Sequence, residues 1–394
     1  AEAAVPDMQQ LPAVTKMVER PRPFEVDLAA LEGMVKELSV LFKDYKELFN
    51  SNVMLVAVEQ DNYRLTSENV RLKFPLGLVG LTVSASVRTT DGSTVSDVLA
   101  ISSLDNPADL PSIEELKKKV KDFADNLMEL KETPMIEEYY TGPVLFEGGA
   151  ASRLFTDNLL SPGRLLALRT MAPARGMLDE QLGRRIIDSR LTVKNYTTLA
   201  EYNGTPLFGC YEIDGDGVVP AAELTLVENG VFKRMLNGRV PTLKAPESTG
   251  SARFMISPDN PMAIVSPGTI HVQASKGVGP EKLKKALLKA AKEADLEYAY
   301  IVRRIGGEAS AVYKVNVKDG KEIRVRVNNL SAPELTKLMD LKGISSDERV
   351  MNYFPNGVPA SLIYPSAIIV GDVEINRTTP KIEEEPVLKH PLQR

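Results

Sequence analysis

The sequence predicts an α+β fold, in which a mixed α/β N-terminal part with an antiparallel meander precedes a strand-rich C-terminal part. Two observations carry this prediction. Amphipathic helical stripes flank a run of strand patterns in the first third of the chain, and short β runs broken by glycine and proline dominate after Tyr139. We expect an extended lead-in over 1–27, an N-terminal domain over 28–138, a β-rich domain over 139–376 and a loose tail over 377–394.

The N-terminal part is predicted to contain two helices around a meander. Leu31, Leu38 and their apolar neighbours recur at three- and four-residue spacing over 28–49, and Asp27 is placed to cap that helix. Ser112 begins the second helix, which runs to about residue 130 with Glu115 at the capping-box position. Between them we expect strands at 53–58, 63–74, 78–89 and 94–102, with turns at 60–62 and 91–92.

The C-terminal part is predicted to be a succession of strands with few helices. We expect helices at 150–160, 281–293 and 333–341. The predicted strands lie at 142–147, 190–194, 207–214, 222–228, 231–236, 269–273, 298–304, 310–317, 322–328 and 366–375.

Composition excludes several classes of function. The chain has 394 residues, of which 43% are hydrophobic and 26% are charged, and its net charge is −5. No basic stripe is present, so we expect no direct contact with nucleic acid. No apolar run reaches the length of a membrane span. A single cysteine cannot form an internal disulfide.

Histidine and cysteine are too scarce for a conventional catalytic zinc site. Such a site uses three protein ligands, mostly histidine with cysteine or a carboxylate, and the chain has only His271, His390 and Cys210. His271 lies in an alternating run, and we interpret it as a structural strand residue rather than a base. Cys210 has apolar neighbours and is expected to be a buried, inert thiol. A hard-cation site made of carboxylates stays open.

Four short motifs suggest turns or binding. Residues 214–217, Asp-Gly-Asp-Gly, resemble the start of a calcium loop but lack its later ligands, so we predict a hairpin turn there and another at 228–230. Phe146-Glu147-Gly148-Gly149 joins a strand to a helix and could bring a ligand to the helix N-terminus. Arg304 could bind a peptide carboxylate, although a solvated charge at a strand end is the simpler interpretation.

The order of several segments resembles the TldD/PmbA family, also called modulators of DNA gyrase. The resemblance covers about residues 52–375. It rests on the segments 141–155 (TGPVLFEGGAASRLF), 183–193 (GRRIIDSRLTV), 227–233 (VENGVFK), 248–253 (STGSAR), 258–268 and 358–373. Related chains usually carry a further N-terminal α/β segment, so we expect this sequence to be truncated or processed. The chain begins without methionine, which suggests an exported, periplasmic protein if a signal peptide was removed and a cytoplasmic one otherwise.

The resemblance implies a metallopeptidase scaffold whose zinc ligands are replaced. In TldD the helix after the matching strand carries His-Glu-x-x-x-His, and a cysteine near the C-terminus completes the zinc site. Thr156, Asp157 and Ser161 occupy those helix positions here, and Met351 falls near the position of the cysteine. No cofactor is therefore expected. Glu147, Gly148, Gly149 and Arg253 remain as binding candidates.

Three hypotheses follow from this sequence. The leading one is a metal-free member, similar to PmbA (TldE), that binds a peptide or an unfolded protein segment. It would form a homodimer or a heterodimer with a TldD-type subunit. The second is an active peptidase that uses Glu147 and Asp157 with a hard cation. The third is a structural homo-oligomer.

Overall fold

The computed structural model of the chain describes residues 7–168, 178–257, 259 and 262–377. The predicted α+β fold is confirmed. The first elements are β1 (Val14–Met17), α1 (Leu28–Val40), β2 (Leu48–Leu65), β3 (Val70–Arg88), β4 (Thr94–Ser103) and α2 (Ile113–Glu132). The next elements are β5 (Tyr140–Glu147), α3 (Gly149–Leu159), β6 (Leu191–Tyr196), β7 (Glu201–Tyr202), β8 (Thr205–Pro206), β9 (Glu223–Glu228) and β10 (Val231–Phe232). The last are β11 (Ala252–Phe254), β12 (Ala263–Val265), β13 (Thr269–Ala274), α4 (Pro280–Glu293), β14 (Tyr298–Arg304), β15 (Ala311–Asn316), β16 (Glu322–Val325), β17 (Gly343–Ile344), β18 (Glu348–Tyr353), β19 (Ala360–Pro365) and β20 (Ala367–Ile375).

The N-terminal sheet is built around β3. This strand pairs antiparallel with β2 and β4 and parallel with β1, which lies in the predicted lead-in. Helices α1 and α2 pack on one face, where Leu81, Val83 and Leu116 are fully buried. Both predicted caps are present, because the side chains of Asp27 and Ser112 accept hydrogen bonds from the first turns of α1 and α2.

The boundaries of α1 and β2 correct two predictions. α1 ends at Val40 rather than continuing to residue 49, because the chain turns and Leu48 pairs with Val87 of β3. The predicted turn at 60–62 lies inside β2, and the hairpin turns at 66–69 instead, with Asn69 at a φ of +61°. The break predicted between residues 74 and 78 is absent, since β3 continues through Pro75. Pro75 lies between the stretches that pair with β1 and β4, so its missing N–H leaves no ladder bond unmade.

Two six-stranded sheets form the C-terminal part, with α3 between them. The first has the order β10-β9-β6-β13-β19-β18 and the second the order β16-β15-β14-β5-β20-β17. Alternate residues of β5 face opposite sides of the second sheet. Val144 packs with Leu154 of α3 and Ile270 of β13, whereas Leu145 packs with Leu287 of α4. The layers therefore run sheet, α3, sheet, α4.

Three predicted C-terminal elements are wrong or too long. Residues 207–214 form no strand, because their backbone N–H groups do not bond to a neighbouring strand in a ladder. Phe208 N–H donates to the Ser361 hydroxyl and Tyr211 N–H to the Thr197 carbonyl. The strand predicted over 231–236 ends at Phe232. Only a single 3-10 turn, Leu335–Leu338, forms within 333–341. The short strands β7, β8, β11, β12, β17, β18 and β19 were not predicted.

Arginines of the C-terminal sheets bind carboxylates of the N-terminal layer. Arg304 donates from both terminal nitrogens to Asp97 at 2.5 Å, and Arg324 donates to Glu129 of α2 at 2.7 Å. Arg326, only 2% exposed, binds Asp91. Arg304 is therefore neither the ligand-binding residue nor the solvated strand-end charge that the sequence suggested, because it forms an internal ion pair that joins the two parts of the chain.

The loose tail, of which only Arg377 is described, and His390 within it lie outside the described residues, as do residues 1–6 of the predicted lead-in. Within the described ranges, no helix is long and apolar enough to cross a membrane.

We predict that Asp97→Ala lowers the free energy of unfolding by about 2 kcal/mol, because it leaves the half-exposed Arg304 without its buried partner. Asp122→Ala is the matched control, since Asp122 pairs with Lys118 on the exposed surface of α2 and should change stability by less than about 0.5 kcal/mol. Urea unfolding of the two variants measures the difference. Equal effects would show that the Asp97–Arg304 pair does not stabilise the fold.

Candidate functional site

The junction between β5 and α3 is built by Gly148. Its φ of +55° suits glycine, and its N–H donates to the Ser366 carbonyl at 2.8 Å. A Cβ at this position would lie 2.9 Å from a terminal nitrogen of Arg349. Glu147 accepts a 2.9 Å hydrogen bond from Arg303 Nε, and Arg303 also binds Glu322. Of the predicted binding residues, Glu147 is thus already paired, while Gly148 and Gly149 shape the entry into α3.

The exposed side of α3 and the turn after it carry the positions that the family resemblance assigns to the zinc motif, with Thr156 and Ser161 in place of the two histidines and Asp157 in place of the general-base glutamate. Arg153 Nε lies 3.0 Å from both carboxylate oxygens of Asp157, and the Thr156 hydroxyl donates to the same carboxylate at 3.1 Å. Ser161 donates to the Asp157 backbone carbonyl at 3.4 Å. Met351 lies on β18 and packs against the core between the sheets. These side chains offer hydroxyls, a thioether and one carboxylate that already has a cation.

This donor set does not fit zinc. Zinc sites in proteins use imidazole, thiolate and carboxylate ligands, and the helix positions supply only the paired Asp157. Within the described ranges, no three His, Cys, Asp or Glu side chains come together to hold a metal ion. Glu147 and Asp157 also stay apart, because Asp157 lies eight residues after Gly149 along α3, a rise of about 12 Å.

A cleft of about 410 Å³ opens beside the C-terminal end of α3. Its wall is mostly apolar. It is lined by Leu160, Pro162, Leu166, Ala167, Leu168, Met255, Met262, Ala263, Ile264, Val265, Ser266, Pro355 and Asn356. A cleft of this size and lining suits aliphatic side chains of a ligand.

Strand β12 presents one edge to this cleft. Met255 N–H donates to the Met262 carbonyl and Ser266 N–H to the Ser251 carbonyl, both at 3.0 Å. These two bonds show which residue pairs of β11 and β12 are hydrogen-bonded to each other, since such pairs alternate with pairs that are not. In an antiparallel pair, the backbone groups of Ala263 and Val265 then point away from β11. In the part of the chain that the structure describes, β12 pairs with β11 alone. The sequence analysis missed this hairpin, whose only signal was the short apolar run before Pro267.

Arg253, the fourth predicted binding residue, is a buried structural residue. Its guanidinium donates to the carbonyls of Pro267 and Pro359 at 2.6 Å and stacks on the Tyr211 ring at 4.3 Å. Burial lowers its pKa to about 10, which leaves it charged at neutral pH. Arg253 therefore fixes β11 to the first sheet and does not face the cleft.

His271 lies in a hydrogen-bonded cluster on the outer side of the first sheet. Its Nε2 is 2.7 Å from Glu348, its Nδ1 is 3.3 Å from the Gln273 amide, and Tyr202 donates to the same glutamate. Burial raises the pKa of Glu348, but the bonds from His271 and Tyr202 outweigh it and leave the pKa below its ordinary value. Since both ring nitrogens have partners, the geometry agrees with a structural role.

Cys210 is exposed, which corrects the prediction of a buried thiol. Desolvation by neighbouring protein atoms nevertheless raises its pKa above the ordinary value, with Arg253 acting in the opposite direction. The thiol is therefore protonated at neutral pH, the unreactive form of cysteine.

The Asp-Gly-Asp-Gly segment makes a turn, but strands do not flank it. The predicted hairpin there is wrong, whereas the one at 228–230 joins β9 to β10 as predicted. The Asp214 carboxylate accepts backbone N–H bonds from Asp216, Val218 and Ala252 at 2.9–3.0 Å. This buried carboxylate holds the turn against β11. Desolvation dominates over these bonds and raises the pKa of Asp214 to about 6.

Comparison with known proteins identifies a family for most of the chain. The PmbA/TldA metallopeptidase C-terminal domain matches residues 139–376. No curated protein matches the sequence significantly.

Solved structures share the fold at low sequence identity. TldE from Thermococcus kodakarensis superposes with a TM-score of 0.60 and 15% identity, over 93% of this chain and 79% of that one. A candidate modulator of a DNA gyrase from Thermotoga maritima gives 0.57 and 15%, over 93% and 80%. A third, from Bacteroides thetaiotaomicron, gives 0.54 and 14%, over 88% and 72%.

The titration of Asp214 yields a prediction about pH. Its folded pKa of about 6 lies above the unfolded value of about 4, so the folded state keeps a proton that the unfolded state releases. This group's contribution to the free energy of unfolding therefore falls by roughly 3 kcal/mol as the pH rises from about 4 to 6. Asp214→Asn should remove that slope, and Asp122→Asn on exposed α2 should not. Urea unfolding between pH 4 and 7 tests it, and an unchanged slope in Asp214→Asn would contradict the assignment.

Proposed function

The chain belongs to the PmbA/TldD family, and we propose that it is a metal-free member that binds extended peptides. The observation that carries this proposal is what stands in place of the zinc motif on α3 and in the turn after it. Thr156 and Ser161 replace the two histidines, and Asp157, at the position of the general-base glutamate, is paired with Arg153. A peptidase of this scaffold needs a metal-activated water, which these side chains cannot hold.

The cleft beside α3 supports peptide binding. An extended peptide that adds to β12 would make main-chain hydrogen bonds with Ala263 and Val265, whose backbone groups point away from β11. Alternate side chains of that peptide would enter the apolar wall formed by Leu166, Leu168 and Met255. Affinity would come from the backbone, so an unfolded segment of varied sequence fits better than one specific ligand.

Association with another subunit completes the proposal. A chain that binds a peptide without cleaving it would act together with a TldD-type subunit that supplies the catalysis, or as a homodimer that holds peptides. The hard-cation alternative has less support. Its two carboxylates, Glu147 and Asp157, are paired with Arg303 and Arg153 and lie at different ends of α3.

We predict that the variant Ala263→Pro weakens peptide binding at least tenfold. Proline removes the outward N–H of this residue and leaves the bonds of β12 to β11 in place. Ala263→Ser keeps the N–H and is the matched control. The measurement is fluorescence anisotropy of a labelled unfolded casein fragment in EDTA, with circular dichroism to check folding.

Two results would overturn the proposed function. One is the absence of binding by the unmodified chain, or equal binding by Ala263→Pro and Ala263→Ser. The other is cleavage of the fragment in EDTA, which would show an active site that needs no added metal.

A further inference from the structure

A cavity of about 340 Å³ lies where the end of β2 meets the segment that follows β11. Five consecutive residues of β2, 60–64, line it together with Phe254 and Ser257. It shares no lining residue with the cleft beside α3, which has Met255 in its wall. This cavity, the β2 pocket, is therefore a separate place where a ligand could bind.

Three polar side chains of β2 lie on the same side of the strand in the β2 pocket. They are Gln60, Asn62 and Arg64, and they share a side because side chains alternate along a strand. Asn62 is only 6% exposed. The strand thus brings a buried amide and a guanidinium next to each other in the wall of the pocket.

Hydrogen bonds fix the direction in which the Asn62 amide points. The Gln60 Oε1 accepts a 3.0 Å bond from Ser257 N–H, so the other end of this amide is the donor. Gln60 Nε2 donates to the Met255 carbonyl at 3.1 Å and to Asn62 Oδ1 at 2.8 Å. Asn62 therefore turns its oxygen to Gln60, and its Nδ2 remains as a donor on the other side.

Two buried donors of the pocket wall lack an acceptor. Within the described ranges, neither Asn62 Nδ2 nor Arg64 Nε has a hydrogen-bond partner, and both atoms are shielded from bulk water. The Asp216 carboxylate lies 3.6 Å from Arg64 Nη2, which is beyond hydrogen-bond reach. Buried donors without partners are rare because they are costly, so these two indicate a ligand that supplies acceptor atoms.

The charges around the pocket favour an acceptor with a single negative charge. The Nε and Nη2 of an arginine form a planar fork that matches the two oxygens of a carboxylate. Asp61 also lines the pocket, and Arg20 and Lys73 lie 3.5 and 3.9 Å from its oxygens. Arg64 is the one cation in the lining, so it can balance a carboxylate but not the charge of a phosphate dianion.

The pocket has room for more than the carboxylate. Its volume is about ten times the roughly 30 Å³ that one water molecule occupies in the liquid. Phe254 forms an apolar part of the wall, and its ring is held against Phe74 at 5.5 Å between centroids. An aromatic or aliphatic group attached to the carboxylate can pack against this ring.

We propose that the β2 pocket binds a carboxylate that carries an apolar substituent, with Arg64 and Asn62 as donors and Phe254 against the substituent. A free arylalkanoic or fatty acid and the C-terminal residue of a peptide both present this chemistry. The proposal goes beyond peptide binding at the cleft, since the two sites have different residues.

Fluorine NMR titration of the full chain with 3-(4-fluorophenyl)propionate, up to about 10 mM, tests the pocket. The unmodified chain should bind with a dissociation constant below about 1 mM, and Arg64→Gln should weaken binding at least tenfold. Arg64→Lys keeps the charge without the planar fork and should lie between them. Arg71→Gln is the matched control, because Arg71 is exposed and pairs with Leu65, on the other side of the sheet from Arg64.

Two further measurements test the donor and the ligand charge. Asn62→Asp keeps the acceptor for Gln60 but replaces the donor by a carboxylate oxygen, so it should abolish binding of the acid in a chain that circular dichroism shows to be folded. The neutral amide of the same acid should bind at least tenfold more weakly, and inorganic phosphate should not displace the acid. No saturable binding, equal binding of acid and amide, displacement by phosphate, or equal effects of Arg64→Gln and Arg71→Gln would each overturn the proposal.

Competition by a short peptide that ends in phenylalanine distinguishes the two sources of the carboxylate. Displacement of the fluorinated acid by the free peptide identifies a peptide C-terminus as a ligand, and its absence identifies a free acid. Both results agree with a carboxylate site, whereas displacement by the C-terminally amidated peptide contradicts it.

The pocket and the cleft are measured independently. Arg64→Gln should bind a C-terminally amidated casein fragment as the unmodified chain does, and Ala263→Pro should bind the fluorinated acid normally. Failure of either proposal is thus seen separately from failure of the other.

Discussion

The burial of α3 between two sheets is the constraint on which the rest of the C-terminal structure depends. Seven of its eleven residues are buried, so only one side of the helix is open to chemistry. Gly148 sets the direction of the helix at its start, and Arg153, Thr156 and Asp157 occupy the open side. Only a few positions can therefore take part in chemistry at this site. The one carboxylate among them, that of Asp157, is already paired with Arg153. The packing of α3 uses its buried side and not the positions that the family resemblance assigns to the zinc motif.

Much of the fold follows from local sequence signals. Asp27 and Ser112 begin their helices as capping chemistry requires, and the alternating strands around β14 end close to their predicted residues. The errors arise where tertiary pairing decides. Leu48 joins β2 because Val87 is opposite, and Pro75 is tolerated because β3 has one neighbour there. No local pattern contains that information. Short strands such as β12 fail for the same reason, since three residues form a strand only when a partner strand is present.

The site was less predictable than the fold. Residue counts and the family resemblance located the positions on α3, but they did not reveal that Asp157 is neutralised by Arg153, which depends on the helix geometry. Arg253 and Asp214 are similar cases. Their residue types suggest ligand binding, yet both side chains are buried. Arg253 donates hydrogen bonds to backbone carbonyl groups, and Asp214 accepts them from backbone N–H groups. The cleft and the edge of β12 could not be predicted, because they are formed by residues that are distant in sequence and meet only in the fold.

The central claim is that the positions of the zinc ligands no longer hold a metal. The most direct test is equilibrium dialysis of the purified, tag-free chain against micromolar zinc at neutral pH, followed by elemental analysis of the protein. The account predicts far less than one zinc per chain, the same for the unmodified protein and for Asp157→Ala. One tightly bound zinc per chain, lost in Asp157→Ala, would contradict it.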